Sequence, residues 1–124
     1  MDHSKEFLEL VNEVMPRVTE VSVAEAIERH RDGATLIDVR EDNEWEEGHA
    51  RGAIHMGRGV IERDIVQQIP NKDAVLVLYC GGGYRSALVA DNLQKMGYTN
   101  VLSMAGGWTA WKEADAPTKM QMPF

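Results

Sequence analysis

The chain has 124 residues, 44% hydrophobic and 27% charged, which is typical of one ordinary globular domain with a single core. Its formal net charge of −7 argues against nucleic acid or an anionic membrane as the main partner, and no apolar run is long enough to cross a bilayer. The first ten residues lack the pattern of a signal peptide, and a single cysteine excludes an internal disulfide, so we expect a reducing compartment such as the cytoplasm.

The first part of the chain predicts a helix, a short strand and a second helix. An N-terminal amphipathic helix that stops at Pro16 is indicated by apolar residues at helical spacing: Phe7, Leu10, Val11, Val14 and Met15. Residues Val18–Val21 are interpreted as a short strand. Ser22 and Glu25 have the spacing of a capping box, which predicts a helix that begins there and runs through His30.

Short elements are predicted in the middle of the chain. Thr35–Val39 predicts a strand, Asp42–Glu46 a helical turn and Ala53–Ile54 another short strand. A helix that ends at Pro70 is marked by isoleucines at helical spacing: Ile61, Ile65 and Ile69.

The second half begins with the most strongly apolar segment. Ala74–Tyr79 is a continuous apolar run, which is typical of a parallel strand covered on both faces. A helical run from Ala87 follows and stops at Gly97. Val101–Ser103 predicts a last strand, and a short helix after it carries Trp108 and Trp111. The tail from residue 117 to 124 has no periodicity, so the sequence leaves open whether it is loose or docked.

Strands that alternate with helices predict an α/β fold, in which a mainly parallel sheet of about five strands has helices on both faces. We divide the chain into an N-terminal helical extension (1–17), one domain (18–117) and a C-terminal tail (118–124). Ligands of such sheets bind outside the carboxyl ends of the strands, and Cys80 lies at one of those ends.

The segment around Cys80 carries the strongest functional signal. Three glycines, then Tyr84, Arg85 and Ser86, separate the only cysteine from the next helical run. Backbone N–H groups converge at a strand-to-helix junction and the helix dipole is positive there, so a thiolate and an anionic ligand are both favoured. Three consecutive glycines indicate a loop folded tightly enough for its amides to point inward.

The loop has three other interpretations. An inert buried cysteine is the common case after an apolar strand, but a structural turn needs fewer glycines. A dinucleotide-binding fingerprint lacks its third glycine and its acidic residue after the next strand. A cysteine phosphatase would place five residues between cysteine and arginine, whereas four separate Cys80 from Arg85. The shorter loop disfavours phosphoryl chemistry without excluding it.

Four segments together resemble the single-domain rhodaneses, a family of sulfurtransferases. They are LIDVRE (36–41), the E-x-x-x-GH-x-x-GA run (44–53), YCGGGYRS (79–86) and GGWTAW (106–111). The order is that of the family, and the resemblance covers most of residues 18–117. It leaves the helix before Pro16 and the tail after Pro117 unexplained, and Ala50-Arg51 replaces the family's usual apolar residue and proline.

The resemblance implies that Cys80 is the catalytic residue and carries a persulfide, within a loop whose amides surround the sulfur. It implies substrate binding by the residues that follow: Gly81, Gly82, Gly83, Tyr84, Arg85 and Ser86. Arg85 would attract an anionic donor if its side chain points inward, and Tyr84 would shape the entrance.

Four further residues are expected to support the site. For Asp38 we favour a structural role, in which it caps the next helical turn or fixes the neighbouring loop. Arg40 and Glu44 stand at i, i+4 spacing and are expected to form an ion pair. His49 could carry a proton, but a hydrogen-bonded structural histidine is favoured. His49 and His55 lack further nearby ligands, so no metal site is predicted, and no cofactor is expected.

The function expected from the resemblance is transfer of sulfane sulfur from a small anionic donor such as thiosulfate to an external thiol, cyanide or a protein thiol. An alternative is a non-catalytic carrier or protein-interaction module, in which Cys80 only stores sulfur. A cysteine phosphatase is a less favoured alternative.

Overall fold

A computed structural model describes residues 3–120. The helices are α1 (Lys5–Val14), a 3-10 helix (Met15–Arg17), α2 (Val23–Arg31), α3 (Asp42–Glu47), α4 (Ile61–Gln68), α5 (Tyr84–Lys95) and α6 (Gly107–Glu113). The strands are β1 (Thr19–Val21), β2 (Thr35–Asp38), β3 (Gly48–Ala50), β4 (Ile54–His55), β5 (Val75–Tyr79), β6 (Asn100–Met104) and β7 (Thr118–Met120).

The main sheet has five parallel strands in the order β1-β6-β5-β2-β4, so β5 lies at its centre. Alternate β5 residues enter two different cores. Leu76 and Leu78 pack with residues of α4 and α5, whereas Val77 and Tyr79 pack with residues of α2 and α6. All four are fully buried. The predicted α/β fold, with a parallel sheet covered on both faces, is confirmed.

A second, two-stranded sheet was not predicted. β3 and β7 pair antiparallel, with His49 opposite Lys119. The tail after Pro117 therefore docks as far as Met120, and the rest of it lies outside the described residues. Strands of three residues have no periodicity to detect, and this pairing joins segments about 70 residues apart.

Two predicted helix starts differ in detail from the structure. At Ser22 the hydroxyl caps α2 by accepting from the Glu25 amide, but the Glu25 carboxylate pairs with Arg29 and does not close the capping box. α5 begins at Tyr84 rather than at Ala87, because Gly83 adopts a left-handed conformation (φ +100°) and caps the helix. Within residues 3–120, no helix combines the length and apolarity that crossing a membrane requires.

The N-terminal helix packs on the helix that follows the cysteine loop. Buried Val11 and Val14 on α1 contact Ala87 and Leu88 on α5. The Arg17 guanidinium, just beyond α1, donates to both carboxylate oxygens of Asp91 on α5 at 2.9 and 3.1 Å. The hydrogen bonds from Arg17 lower the pKa of Asp91 to about 2. Burial of the carboxylate acts in the opposite direction, and Lys95 adds to the lowering.

We expect Asp91→Asn to destabilise the fold at neutral pH and to matter less in acid. The Asp91 carboxyl titrates near 3.8 when unfolded and near 2 when folded, so its contribution is complete above about pH 5 and is lost as pH falls toward 2. Because Arg17 is 47% exposed and screened, we expect a loss of about 1 kcal/mol at pH 7. Urea unfolding of both proteins from pH 7 to 2.5 measures this. A difference that grows in acid would contradict the assignment.

Candidate functional site

Cys80 follows β5 directly and is 1% exposed, at the carboxyl end of the central strand. The loop then turns back, and the Gly83 amide donates to Cys80 Sγ at 3.1 Å. A side chain at Gly83 would be strained by its positive φ and would lie 3.2 Å from the Gly106 nitrogen. Glycine at this position therefore lets the chain bring an amide to the sulfur.

Two serines lie behind the sulfur. Ser86 Oγ is 3.6 Å from Cys80 Sγ and 2.8 Å from Ser103 Oγ, and both serines are fully buried. If Ser103 donates to Ser86, the Ser86 hydroxyl is free to donate to the sulfur. The sequence predicted Ser86 in the loop but not Ser103, which reads only as part of a strand.

Arg85 points toward the loop and pairs with Glu44. Its guanidinium donates to both Glu44 carboxylate oxygens at 2.9 and 3.2 Å. These hydrogen bonds hold the pKa of Glu44 below its ordinary value and raise that of Arg85. The pair lies close over Gly81, where a Cβ atom would be 3.1 Å from the guanidinium. The charge of Arg85 is thus neutralised by a carboxylate beside the sulfur.

The predicted ion pair between Arg40 and Glu44 is therefore wrong. Arg40 precedes α3, so helical i, i+4 spacing does not apply to it, and its guanidinium pairs with Asp38 at 2.8 Å. Asp38 also accepts from the Arg40 amide at 2.8 Å, which fixes the turn after β2. Glu44 accepts from the Glu41 amide at the start of α3 as well as from Arg85.

The Asp38–Arg40 pair is almost completely buried, with 0% and 3% of the two residues exposed. A further guanidinium N–H donates to the Gly48 carbonyl at 2.7 Å. The guanidinium also lies over the rings of Trp108 and Tyr79, at 4.8 and 5.7 Å from their centroids. These contacts tie β2, β3 and α6 together beneath the site.

His49 makes its contacts with Trp45 on α3. Its Nδ1 is 3.0 Å from the Trp45 carbonyl oxygen, and its ring stacks on the Trp45 ring at 3.4 Å between centroids. His55 stacks on the same indole. In the described part of the chain, no three histidine, cysteine, aspartate or glutamate side chains are grouped as metal ligands.

The first residues of α6 hold the cysteine loop by their backbone. The Trp108 amide donates to the Cys80 carbonyl at 2.7 Å, and the Thr109 amide donates to the Gly81 carbonyl at 3.1 Å. Gly107 has φ +51°, and a Cβ atom there would overlap the Cys80 carbonyl oxygen. The GGW segment is thus a support for the loop, and Gly107 permits its close approach.

We expect Gly107→Ala to displace the cysteine loop. Because the new methyl group would collide with the Cys80 carbonyl, stability should fall by about 1–3 kcal/mol from backbone strain alone, and the sulfur transfer expected from the rhodanese resemblance should fall with it. Gly33→Ala is the matched control, since Gly33 also has positive φ but has no atom within 4 Å of a Cβ. Thermal unfolding and sulfur-loading rates measure both. Equal activity of the two variants would contradict the supporting role.

A cavity of about 380 Å³ opens above Cys80. Its walls are Gly82 and the residues His3, Phe7, Glu44, Arg58, Tyr84 and Arg85. Of the six predicted substrate-binding residues, Gly82, Tyr84 and Arg85 line the cavity together with Glu44. The lining does not include the other predicted site residues: Gly81, Gly83, Ser86, Asp38, Arg40 and His49. Sequence reasoning missed three wall residues. Phe7 follows an ordinary amphipathic pattern, and neither His3 nor Arg58 stands in a motif.

This arrangement suits a nucleophilic sulfur that receives an anion. The sulfur has an amide donor and a hydroxyl beside it, and the start of a 12-residue helix lies next to it. The first amides of a helix have no partner inside the helix and carry partial positive charge. Such a site favours a negative charge delivered to the sulfur.

Comparisons with known proteins agree with this chemistry. The family model of the rhodanese-like domain matches residues 22–114. The chain is 31% identical over 98 residues to the thiosulfate sulfurtransferase GlpE of Haemophilus influenzae. This match covers 79% of this chain and 91% of the Haemophilus protein. It is 32% identical over 109 residues to the chloroplastic thiosulfate sulfurtransferase 16 of Arabidopsis thaliana. That match covers 80% of this chain and 91% of the Arabidopsis protein.

A similar solved structure comes from Rhodopseudomonas palustris. It has a TM-score of 0.82 and 30% identity, and the match covers 96% of this chain and 98% of that one. That protein is described as of unknown function and as a possible tyrosine phosphatase. Its match extends beyond residues 22–114, so the N-terminal helix is part of the shared architecture.

Proposed function

Because this chain belongs to the family of rhodanese-like domains, we propose that it is an enzyme of the thiosulfate sulfurtransferase type that carries sulfane sulfur on Cys80. The main support is the position of the only cysteine, whose Sγ accepts from the Gly83 amide and lies beside the Ser86 hydroxyl at the floor of the cavity. The lone cysteine also supports a reducing compartment such as the cytoplasm.

The first half-reaction loads the enzyme. The Cys80 thiol gives its proton to solvent, and the thiolate attacks the outer sulfur of thiosulfate. The bond between the two sulfur atoms of thiosulfate breaks, and sulfite leaves with its electron pair. Cys80 then holds a persulfide, whose negative charge the loop amides and the start of α5 stabilise.

The second half-reaction discharges the enzyme. An external nucleophile such as cyanide, a small thiol or a protein thiol attacks the outer sulfur of the persulfide and regenerates the Cys80 thiolate. The acceptor has to be external because the chain has no second cysteine. Two cations line the cavity, Arg58 and Arg85. Arg58 is the better candidate to attract an anionic donor, because it forms no ion pair within residues 3–120, whereas Arg85 is paired with Glu44.

A cysteine phosphatase is the second candidate, favoured by the description of the Rhodopseudomonas relative. Two observations weigh against it. Only four residues separate Cys80 from Arg85, so the ring of amides is short for a tetrahedral phosphate. The guanidinium that would hold phosphate oxygens donates to both oxygens of Glu44.

Steady-state assays test the proposal. We expect sulfite release from thiosulfate, or pyruvate release from mercaptopyruvate, in the presence of cyanide or a thiol, and no hydrolysis of an aryl phosphate. Slow turnover with every small acceptor but rapid discharge to one protein would identify a carrier module instead. Cys80-dependent hydrolysis of the aryl phosphate without sulfite release would overturn the proposal in favour of a phosphatase.

A further inference from the structure

The N-terminal helix reaches the candidate active site from outside the matched rhodanese-like region. α1 precedes residue 22, where the family match begins, yet it packs on α5 through Val11 and Val14. The Arg17–Asp91 pair, just beyond the C-terminal end of α1, also ties this segment to α5. Because α5 begins at the cysteine loop, this packing fixes the start of α1 relative to Cys80.

Three rings form one side of the cavity, and we name them the aromatic wall: His3, Phe7 and Tyr84. The His3 ring lies 4.8 Å from that of Tyr84 and 5.1 Å from that of Phe7, and Phe7 meets Tyr84 edge-on at 6.3 Å. Two of the rings come from the N-terminal segment and one from the first residue of α5. All three line the same cavity as Cys80.

Three charged side chains of the cavity, Glu44, Arg85 and Arg58, together carry one net positive charge. Glu44 and Arg85 neutralise each other, and Arg58 adds a cation that is not paired within the described residues. A cavity of about 380 Å³ lies within the range of sites for organic ligands and is far larger than a five-atom thiosulfate ion requires. The site therefore offers an apolar surface, a cation and spare volume around one sulfur.

We propose that the aromatic wall selects a sulfane-sulfur donor that is an anion with an aromatic or other apolar body, and that Phe7 and His3 are specificity-determining residues. This inference rests on the proposed sulfurtransferase function. The body packs against the rings, the anionic group faces Arg58, and the sulfane sulfur points to Cys80. With a thiosulfonate, the Cys80 thiolate forms a bond to the sulfane sulfur, the bond between that sulfur and the sulfonyl sulfur breaks, and a sulfinate leaves with the electron pair.

The test measures the loading half-reaction alone, so the acceptor does not matter. Single-turnover rate constants for sulfur loading of the full chain are compared for benzenethiosulfonate, methanethiosulfonate and thiosulfate. We expect the benzene compound to load faster than its methyl analogue. Phe7→Ala should lower that preference about threefold to tenfold, and His3→Ala should lower it by a smaller factor, as loss of aromatic contacts predicts. The preference for benzenethiosulfonate over thiosulfate should fall in the same way, since thiosulfate has no apolar body to contact the rings.

Two controls separate specificity from folding. Leu10→Ala alters an exposed side chain of the same helix that does not line this cavity, and it should leave the preference unchanged. If Phe7→Ala unfolds α1, then Phe7→Leu keeps apolar volume without a ring, and His3→Ala lies before the helix begins. If every variant is loaded by all donors with the same preference as the unchanged protein, the inference is wrong and the proposed function still holds. No loading of Cys80 by any donor would refute the proposed function on which it rests.

Discussion

Cys80→Ser is expected to reduce sulfur transfer to the background rate, a loss of at least about 10³-fold, because the covalent intermediate cannot form on a serine hydroxyl. The structure should survive the change. Serine is slightly smaller than cysteine, and its hydroxyl can accept from the Gly83 amide and contact Ser86 as the sulfur does. Sulfite release from thiosulfate measures activity, and thermal unfolding checks that the fold is retained.

Ser103→Ala is the matched control for that loss. It also removes one small polar group from the buried cluster around the sulfur, but it leaves Cys80 in place. We expect a reduction within about tenfold, because Ser103 acts only through the orientation of Ser86. Equal losses in the two variants would mean that damage to the loop, and not absence of the thiol, explains the effect of Cys80→Ser.

Asp38→Ala is expected to cause the largest loss of stability, about 3–5 kcal/mol, because it leaves the Arg40 guanidinium buried without its counter-charge. Asp38 accepts from the Arg40 amide and from two guanidinium nitrogens, so one substitution removes the contacts that hold the turn after β2. Urea unfolding at neutral pH measures the loss of free energy.

The double variant Asp38→Ala with Arg40→Met distinguishes a lost charge pair from a cavity. Removing both charges abolishes the unpaired guanidinium, so the double variant should recover part of the stability lost in the single variant. A cost below about 1 kcal/mol in the single variant, or no recovery in the double variant, would contradict the account of this buried pair.

The central elements could be predicted because their signals are local. The apolar run before Cys80 has the pattern of a buried parallel strand, and it forms the centre of the sheet as β5. The glycine-rich junction likewise predicts a loop at the edge where ligands bind. The start of α5 at Tyr84 was missed because it depends on the left-handed conformation of Gly83, which sequence periodicity does not report.

The partners of the charged residues could not be predicted, since they come from distant segments. Glu44 pairs with Arg85, 41 positions away, while the nearer Arg40 turns back to Asp38. The tail strand β7 and the cavity role of Phe7 were missed for the same reason. Phe7 belongs to an amphipathic face whose sequence pattern predicts burial in the core. Only the packing of α1 on α5 shows that this face ends at the cavity.

Mass spectrometry of the loaded protein shows whether Cys80 carries sulfane sulfur. The purified chain is incubated with thiosulfate, freed of excess donor and analysed intact and after digestion without reductant. We expect a gain of the mass of one sulfur atom on the peptide that contains Cys80, with one sulfite released per chain, and loss of that mass after cyanide is added. An unmodified Cys80 peptide after incubation with thiosulfate and with mercaptopyruvate would contradict the proposed function.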